Sequence, residues 1–382
     1  MSDDRDHRDG RFEVLIAGGG VAGLEAAFAL QQLAGERVRV RVISRRDEFV
    51  YRPLAIGEPF NRSHAPRHPL RALVERAGAE LINDALEHVD VPQRRVHLAS
   101  GAQLPYHALL VATGASKKFI YEHASNLDDA HIDDLLHGLV QDIEEGYVRR
   151  LAVVIPAPLP WPLPAYEAAL MASERAWDMQ VELDVVLATP ERAPLDVFGA
   201  VASRGVAALL HERRIEVITS CTCEVPGAQA VLVHPAGLEL QADRIIALPA
   251  LTGPSLSGLP HDGGGFVPVD EYGHVRGVDR VWAAGDCTDE PLKHGGIAAG
   301  LADIAAESIA TMAGAHLHGR TFIPIIEGIL MTGGARRYLR ARPAWPGANG
   351  ESVFETLPPS SRPPKIHARY LGPQLESDVV YR

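Results

Sequence analysis

The chain has 382 residues, 46% of them hydrophobic, with 37 Lys and Arg against 49 Asp and Glu and a formal net charge of −12. That length accommodates two or three domains with real cores, while the negative balance argues against a nucleic-acid surface and against general attraction to anionic lipid. Three cysteines in this length point to a reduced, cytoplasmic protein rather than a disulfide scaffold, and no run approaches the ~18 apolar residues of a membrane span. The charged start, MSDDRDHRDGR, has no apolar core, so residues 1–11 are expected to be a disordered lead-in.

The first element is Phe12 to Leu30, FEVLIAGGGVAGLEAAFAL. Val14 to Ala17 has the length and composition of a buried parallel strand, and the Ala- and Leu-rich sequence after Gly23 has good helix propensity. Between them stand Gly18, Gly20 and Gly23. In a strand–turn–helix unit the first glycine permits the tight turn and the second lets backbone approach a diphosphate. The third lets the helix pack on the strand, with its N-terminal N–H groups aimed at the phosphate charge. Glycine spacing and flanking elements together predict a dinucleotide site built by Gly18, Gly20, Val21, Ala22 and Gly23.

Arg37 to Ser44 then reads as a second parallel strand. An acidic side chain at its end usually binds the adenosine ribose, but this chain has Ser44, Arg45 and Arg46 there, with Asp47 and Glu48 late. On this strand alone a 2′-phosphate stays in play. FVYRPLAIGEPF, Phe49 to Phe60, breaks the alternation as an aromatic, proline-rich loop. Arg71 to Gly78 reads as helix, Leu86 to Leu98 as a hairpin, and Pro105 to Gly114 as a strand ending in a small-residue turn. A polar, His- and Asp-rich entry up to Asp142 leads to alternating strands and helices: Leu151–Ile155, Tyr166–Asp178, Val181–Leu187, Val197–Arg213 and Ile215–Thr219. That order predicts a second doubly wound unit, closed by Ala242 to Pro249. Arg280 to Ala284 is one more strand, before a glycine-rich helix start.

Three separated pieces now stand in order: the first glycine turn, Ala112-Thr113-Gly114 at a strand end, and GHVRGVDRVWAAGDCT (Gly273 to Thr288) followed by KHGGIAAG (Lys293 to Gly300). Together they resemble the FAD/NAD(P)-binding pyridine nucleotide–disulfide oxidoreductases. FVYRPLAIGEPF, WPLPAYE and PPKIHARYL narrow the likeness to the branch of sulfide:quinone oxidoreductases and flavocytochrome c sulfide dehydrogenases. The resemblance implies an α/β fold of two doubly wound Rossmann-like dinucleotide-binding domains plus a small C-terminal segment. The FAD domain is discontinuous, 12–116 and 255–323; the second, degenerate NAD-type domain is 117–254, and the C-terminal segment is 324–382. It implies FAD at the first site, held by the glycine turn, Ser44, Arg45, Arg52, Pro53, Ala112, Thr113 and Gly114. Gly285 and Asp286 would meet the ribityl chain, and the helix from His294 through Gly295, Gly296 and Ile297 would aim its dipole at the flavin edge that gathers charge on reduction.

Two departures separate this chain from that branch. After Leu151–Ile155 an NADH-using relative carries a glycine turn, but here the sequence is PAPLPWPLPAYE, with Pro156, Pro158, Pro160, Pro162 and Pro164 at alternate positions. Proline has no N–H and a fixed φ, so the segment cannot form a cradle of donors for a diphosphate, and Trp161 fills the place where backbone should approach it. The catalytic cysteines of sulfide:quinone enzymes are missing too. Cys221 and Cys223 are one residue apart at a strand end, expected on opposite faces, and Cys287 sits beside Asp286; all three read as packing thiols.

The chemistry then falls to Glu167 and Lys293. Glu167 matches a glutamate that relatives place facing the flavin, where a carboxylate can shuttle a proton; its alternative is an exposed first-turn side chain complementing the helix dipole. Lys293 is expected to stabilise anionic reduced flavin, the alternative being a solvated lysine, and His294 is a further candidate proton carrier. The 17 histidines form no metal pattern, and none is expected to hold a metal. Arg336, Arg337, Arg340 and Arg342 around Tyr338 suggest at most a peripheral membrane contact, or else packing over the flavin or in a homodimer. The sequence reading is an FAD-dependent oxidoreductase passing electrons to a quinone-like, small-molecule or protein acceptor. An NAD(P)H:acceptor reductase with an unusual nicotinamide site and a non-catalytic FAD-binding partner or sensor remain open as alternatives.

Overall fold

The computed structural model describes residues 10–128, 132–158, 161–342, 350–356, 365–375 and 380–381. Most of the lead-in, Pro160, and Pro363 with Pro364 lie outside these residues. The chain begins with β1 (Phe12–Ala17), α1 (Val21–Leu33), β2 (Val38–Ile43), α2 (Leu70–Arg76), β3 (Glu80–Ile82) and β4 (Ala108–Val111). It continues through β5 (Ser125–Asn126), α3 (Ile132–Glu144), β6 (Arg150–Val154), α4 (Leu163–Asp178), β7 (Asp184–Ala188), α5 (Gly199–Glu212), β8 (Glu216–Ile218) and β9 (Arg244–Ala247). Then come β10 (Val281–Ala283), α6 (Gly295–Met312), β11 (Ile326–Leu330), β12 (Arg337–Arg342) and β13 (Glu351–Glu355).

Two five-stranded parallel sheets organise the molecule. The first has the order β10-β4-β1-β2-β3, the second β5-β9-β6-β7-β8. Strand β10 joins the first sheet after the chain has built the second. Both sheets are covered by helices, so central strands such as Val14–Ile16 and Leu109–Val111 are fully buried continuous apolar runs. Helix α1 is largely apolar and packs against the Ala-rich α6; small side chains allow the two to approach closely.

Two expectations need amendment. The polar entry before Asp142 contains a helix, α3, whose Ile132, Leu136, Leu139, Val140 and Ile143 form a buried stripe under a charged face. Its apolar residues recur at helical spacing within an otherwise acidic stretch. The tail also has more order than its composition suggested: β11, β12 and β13 form an antiparallel sheet that packs against α5. Ser352 fixes it there, accepting from Ala202 N–H at 3.1 Å and donating to the Phe198 carbonyl at 2.6 Å. Arg340 of β12 pairs with Glu327 and Glu351 at 3.2 and 3.6 Å, so part of the tail's basic character is spent within the tail sheet. Among the described residues no helix is long and apolar enough to cross a membrane, and no group of three or more His, Cys, Asp or Glu is placed to hold a metal ion.

Candidate functional site

The turn after β1 is built by contacts that only glycine permits. Gly18 has φ +126°, and a Cβ there would lie 2.1 Å from the Ala112 carbonyl oxygen of the neighbouring strand end. A Cβ on Gly23 would lie 1.9 Å from the Gly18 oxygen, so this glycine sets how closely α1 packs on the turn. Gly20 differs: no protein atom lies within 4 Å of where its Cβ would be. That open backbone faces a groove of about 650 Å³, which suits a dinucleotide diphosphate lying against the α1 N-terminus.

The groove is lined by most of the residues that the sequence singled out. Gly18, Gly20, Val21, Ala22, Ser44, Arg45, Arg52, Pro53, Ala112, Thr113, Gly114, Gly285, Asp286 and Gly295 all border it. Gly23 lies beneath the turn. His294, Gly296, Ile297 and Lys293 stand outside the lining. Lys293 is therefore placed beside the groove rather than in it: its Nζ sits 4.0 Å over the Phe266 ring and donates to the Thr288 carbonyl. Desolvation lowers its pKa, opposed by Asp286 and its acidic neighbours.

Glu167 lies in the first turns of α4, whose Pro164 suits a position where an N–H has no helical partner. It is not an exposed helix-dipole residue, being 1% exposed. Its partner is Lys365, 4% exposed, whose ammonium donates to Oε1 at 2.7 Å and Oε2 at 2.8 Å. Met331 N–H completes the carboxylate's shell at 2.9 Å. Burial raises the Glu167 pKa and lowers that of Lys365, while each charge opposes the shift of the other. Burial thus moves the two pKa values towards each other, which lowers the cost of passing a proton between the carboxylate and the amine.

The pair adjoins the groove through Ile366. Ile366 lines the groove, and its N–H donates to the Tyr51 hydroxyl at 2.9 Å. A Cβ on Gly295 would strike the Ile366 side chain at 2.5 Å, so the C-terminal segment rests directly on the start of α6. Sequence reasoning missed Lys365, although PPKIHARYL had been picked out. A buried ion pair 198 residues apart has no local signature.

His294 is the N-cap of α6, its Nδ1 accepting from Gly296 N–H at 3.2 Å. Burial, with help from the Lys365 charge, pushes its pKa down to about 4, so near neutrality it is an uncharged cap rather than a proton carrier. Its ring stacks against Trp161 at 4.4 Å, and Trp161 also meets Phe198 edge-on at 5.6 Å. Trp161 thus ties the proline segment to α6.

In the second sheet, the carboxylate nearest the end of β7 is turned inward. Glu191 is 5% exposed; its Oε2 accepts from the Tyr166 hydroxyl at 2.6 Å and from Thr189 Oγ1 at 2.9 Å. The three thiols are free and buried. Cys287 donates to the Val111 and Ala284 carbonyls at 3.4 and 3.3 Å, and desolvation pushes it up to about 11. Cys221 and Cys223 share one small core and interact with each other, contrary to the opposite-face expectation. Residues two positions apart in an extended chain project to the same face, so the shared core is what strand alternation gives and the opposite-face expectation misapplied it. Burial raises both thiols, Cys223 to about 12, leaving little thiolate at neutral pH.

A parallel sheet, a glycine turn and a dinucleotide-sized groove define an α/β protein of the dinucleotide-binding class. The family model described as "Pyridine nucleotide-disulphide oxidoreductase" matches residues 12–319, and the chain belongs to that family. Among curated proteins, the sulfide-quinone reductase of Aquifex aeolicus is 28% identical over 260 residues, covering 64% of this chain and 59% of that relative. A solved structure of the sulfide:quinone oxidoreductase from Aquifex aeolicus superposes with a TM-score of 0.81 at 20% identity, covering 91% of this chain and 87% of that one. A ferredoxin reductase from Rhodopseudomonas palustris superposes at 0.64 and 18% identity, covering 86% and 82%. That family is one of FAD-dependent oxidoreductases; the likeness to the solved sulfide:quinone oxidoreductase is one of fold, and the match to the curated relative spans less than two thirds of that relative's length.

Proposed function

We propose that this enzyme passes electrons through its FAD to a quinone-like or protein acceptor, with no redox cysteine and no nicotinamide bound at the second sheet. Bound FAD supplies the two-electron redox chemistry. The Gly18–Gly23 turn and the α1 N-terminus would hold the diphosphate, Ser44 and Arg45, which line the groove, would border the adenosine end, and Asp286 would accept from the ribityl hydroxyls. Arg52 and Pro53 wall the groove, and Ile366 lines it where its side chain packs on Gly295.

The observation that carries this reading is the Glu167–Lys365 pair. Quinone reduction takes up protons along with electrons, and this pair is a dry proton store next to the groove. The proline segment offers few backbone donors, Trp161 is stacked on His294, and Glu191 is already engaged by Tyr166 and Thr189. All three features weigh against nicotinamide dinucleotide binding at the second sheet. The raised, buried thiols weigh against a cysteine polysulfide route.

Anaerobic mixing of the holoenzyme with NADH, NADPH and sulfide in turn, followed at the flavin absorbance bands, tests the donor side. Each is expected to leave the flavin oxidised over many seconds. Rapid bleaching by either nicotinamide overturns the second-sheet assignment, and rapid bleaching by sulfide shows that the missing cysteines are dispensable.

A further inference from the structure

The C-terminal stretch that delivers Lys365 and Ile366 is anchored by a carboxylate on the first helix. Glu25, two residues beyond Gly23, is fully buried. Its Oε1 accepts from Tyr370 N–H at 2.8 Å and its Oε2 from Leu371 N–H at 2.6 Å. Asp303 faces it from α6, with one oxygen, Oδ1, buried and without a hydrogen-bond partner among the described residues. The other charged or titratable groups around Asp303 are Arg369 and Tyr370 on the C-terminal stretch, Arg320 beyond α6, and Glu307 one turn along, which accepts from Arg320 at 2.7 Å.

We propose that Glu25 is a positioning residue that seats the C-terminal stretch, and with it Lys365 and Ile366, against the flavin groove, and that Asp303 makes this hold proton-dependent. Two carboxyl groups in contact inside a protein do not both ionise readily. With Asp303 protonated, its hydroxyl donates to Glu25, whose charge is then shared among that hydroxyl and the two backbone N–H groups. Burial first, and the Glu25 charge second, push Asp303 up to about 8, against the pull of Arg369 and Arg320. Undocking Tyr370 and Leu371 lets water reach the pair and returns Asp303 towards the ordinary carboxylate range. Docking therefore raises the Asp303 pKa. Its stabilisation is complete below the ordinary carboxylate range and is lost as pH rises towards about 8. Above that, two carboxylates must share the site.

The consequence for catalysis rests on the flavin reading above, but the latch is a property of the chain alone. Amide hydrogen exchange of Tyr370 and Leu371, corrected for the intrinsic pH dependence of exchange, reads it without donor or acceptor. Protection in the wild-type holoenzyme is expected to fall by about tenfold or more between pH 6 and pH 8, since one linked proton gives up to about tenfold per pH unit. Asp303→Asn keeps a donor to Glu25 and removes the titration, so its protection should be nearly flat over that range. Glu25→Gln replaces one acceptor by an amide donor and should lower protection at every pH. A wild-type profile as flat as that expected of Asp303→Asn overturns the proposal whatever the variants do, as does an Asp303→Asn profile that falls like the wild type. Because exchange involves no electron transfer, failure here leaves the acceptor reading standing, and failure of that reading leaves the latch standing.

Discussion

Lys365→Met is expected to destabilise the protein by about 3–5 kcal/mol, with a loss that grows as pH rises. The substitution removes the one charged partner, among the described residues, of a carboxylate that is 1% exposed and leaves it with a single backbone donor, Met331 N–H. Desolvation, the first cause of the raised Glu167 pKa, then acts unopposed by a cation. A folded-state pKa raised above the unfolded one gives stability that is present below the ordinary glutamate range and lost as pH rises. Denaturant unfolding at pH 5.5 and pH 8 should therefore show the larger deficit at pH 8. Glu167→Gln combined with Lys365→Met removes both charges and should recover much of the loss, because replacing a buried pair by neutral groups of similar size is often close to neutral. A single variant as stable as the wild type at both pH values would show that the pair is not shielded from water.

Gly20→Ala and Gly23→Ala should separate cofactor binding from folding. At Gly20 a Cβ meets no protein atom, and the residue is the α1 N-cap in an extended conformation open to alanine. The apoprotein should fold with a penalty of only a few tenths of a kcal/mol, while FAD affinity drops by about tenfold or more, ~1.4 kcal/mol. At Gly23 a Cβ collides with the Gly18 carbonyl at 1.9 Å, so α1 must move off the turn; stability and FAD binding should fall together. Thermal unfolding of apoprotein and titration with FAD check both. Unchanged FAD affinity in Gly20→Ala would place the diphosphate elsewhere.

The parts of this molecule legible in the sequence are those fixed by local physics. Val14–Ala17, Gly18, Gly23 and the Ala-rich helix after them read as strand, turn and helix because each local preference agrees with the final contact. The two parallel sheets followed from the alternation of short apolar runs with helical periods. What escaped depends on residues far apart in the chain. Glu167 was singled out, but its burial is settled by Lys365, and Glu25 looked like one more polar residue in an apolar helix until Tyr370 and Leu371 arrived on it. Lys293 illustrates the converse: its position before the helix expected to face the flavin was suggestive, yet Phe266 and the Thr288 carbonyl take up its ammonium. The polar stretch around it hid helix α3, whose apolar residues recur at helical spacing between four acidic ones.

The acceptor side gives the most direct test. Holoenzyme whose flavin has been photoreduced anaerobically is mixed with a soluble short-chain quinone, and return of the oxidised flavin bands is followed by stopped flow in wild type and Glu167→Gln. The account predicts rapid reoxidation by the wild type and a reoxidation at least about tenfold slower in the variant, the lower end of what general acid–base groups contribute. Wild-type flavin that stays reduced in the presence of quinone, or a Glu167→Gln rate equal to the wild type, would contradict it.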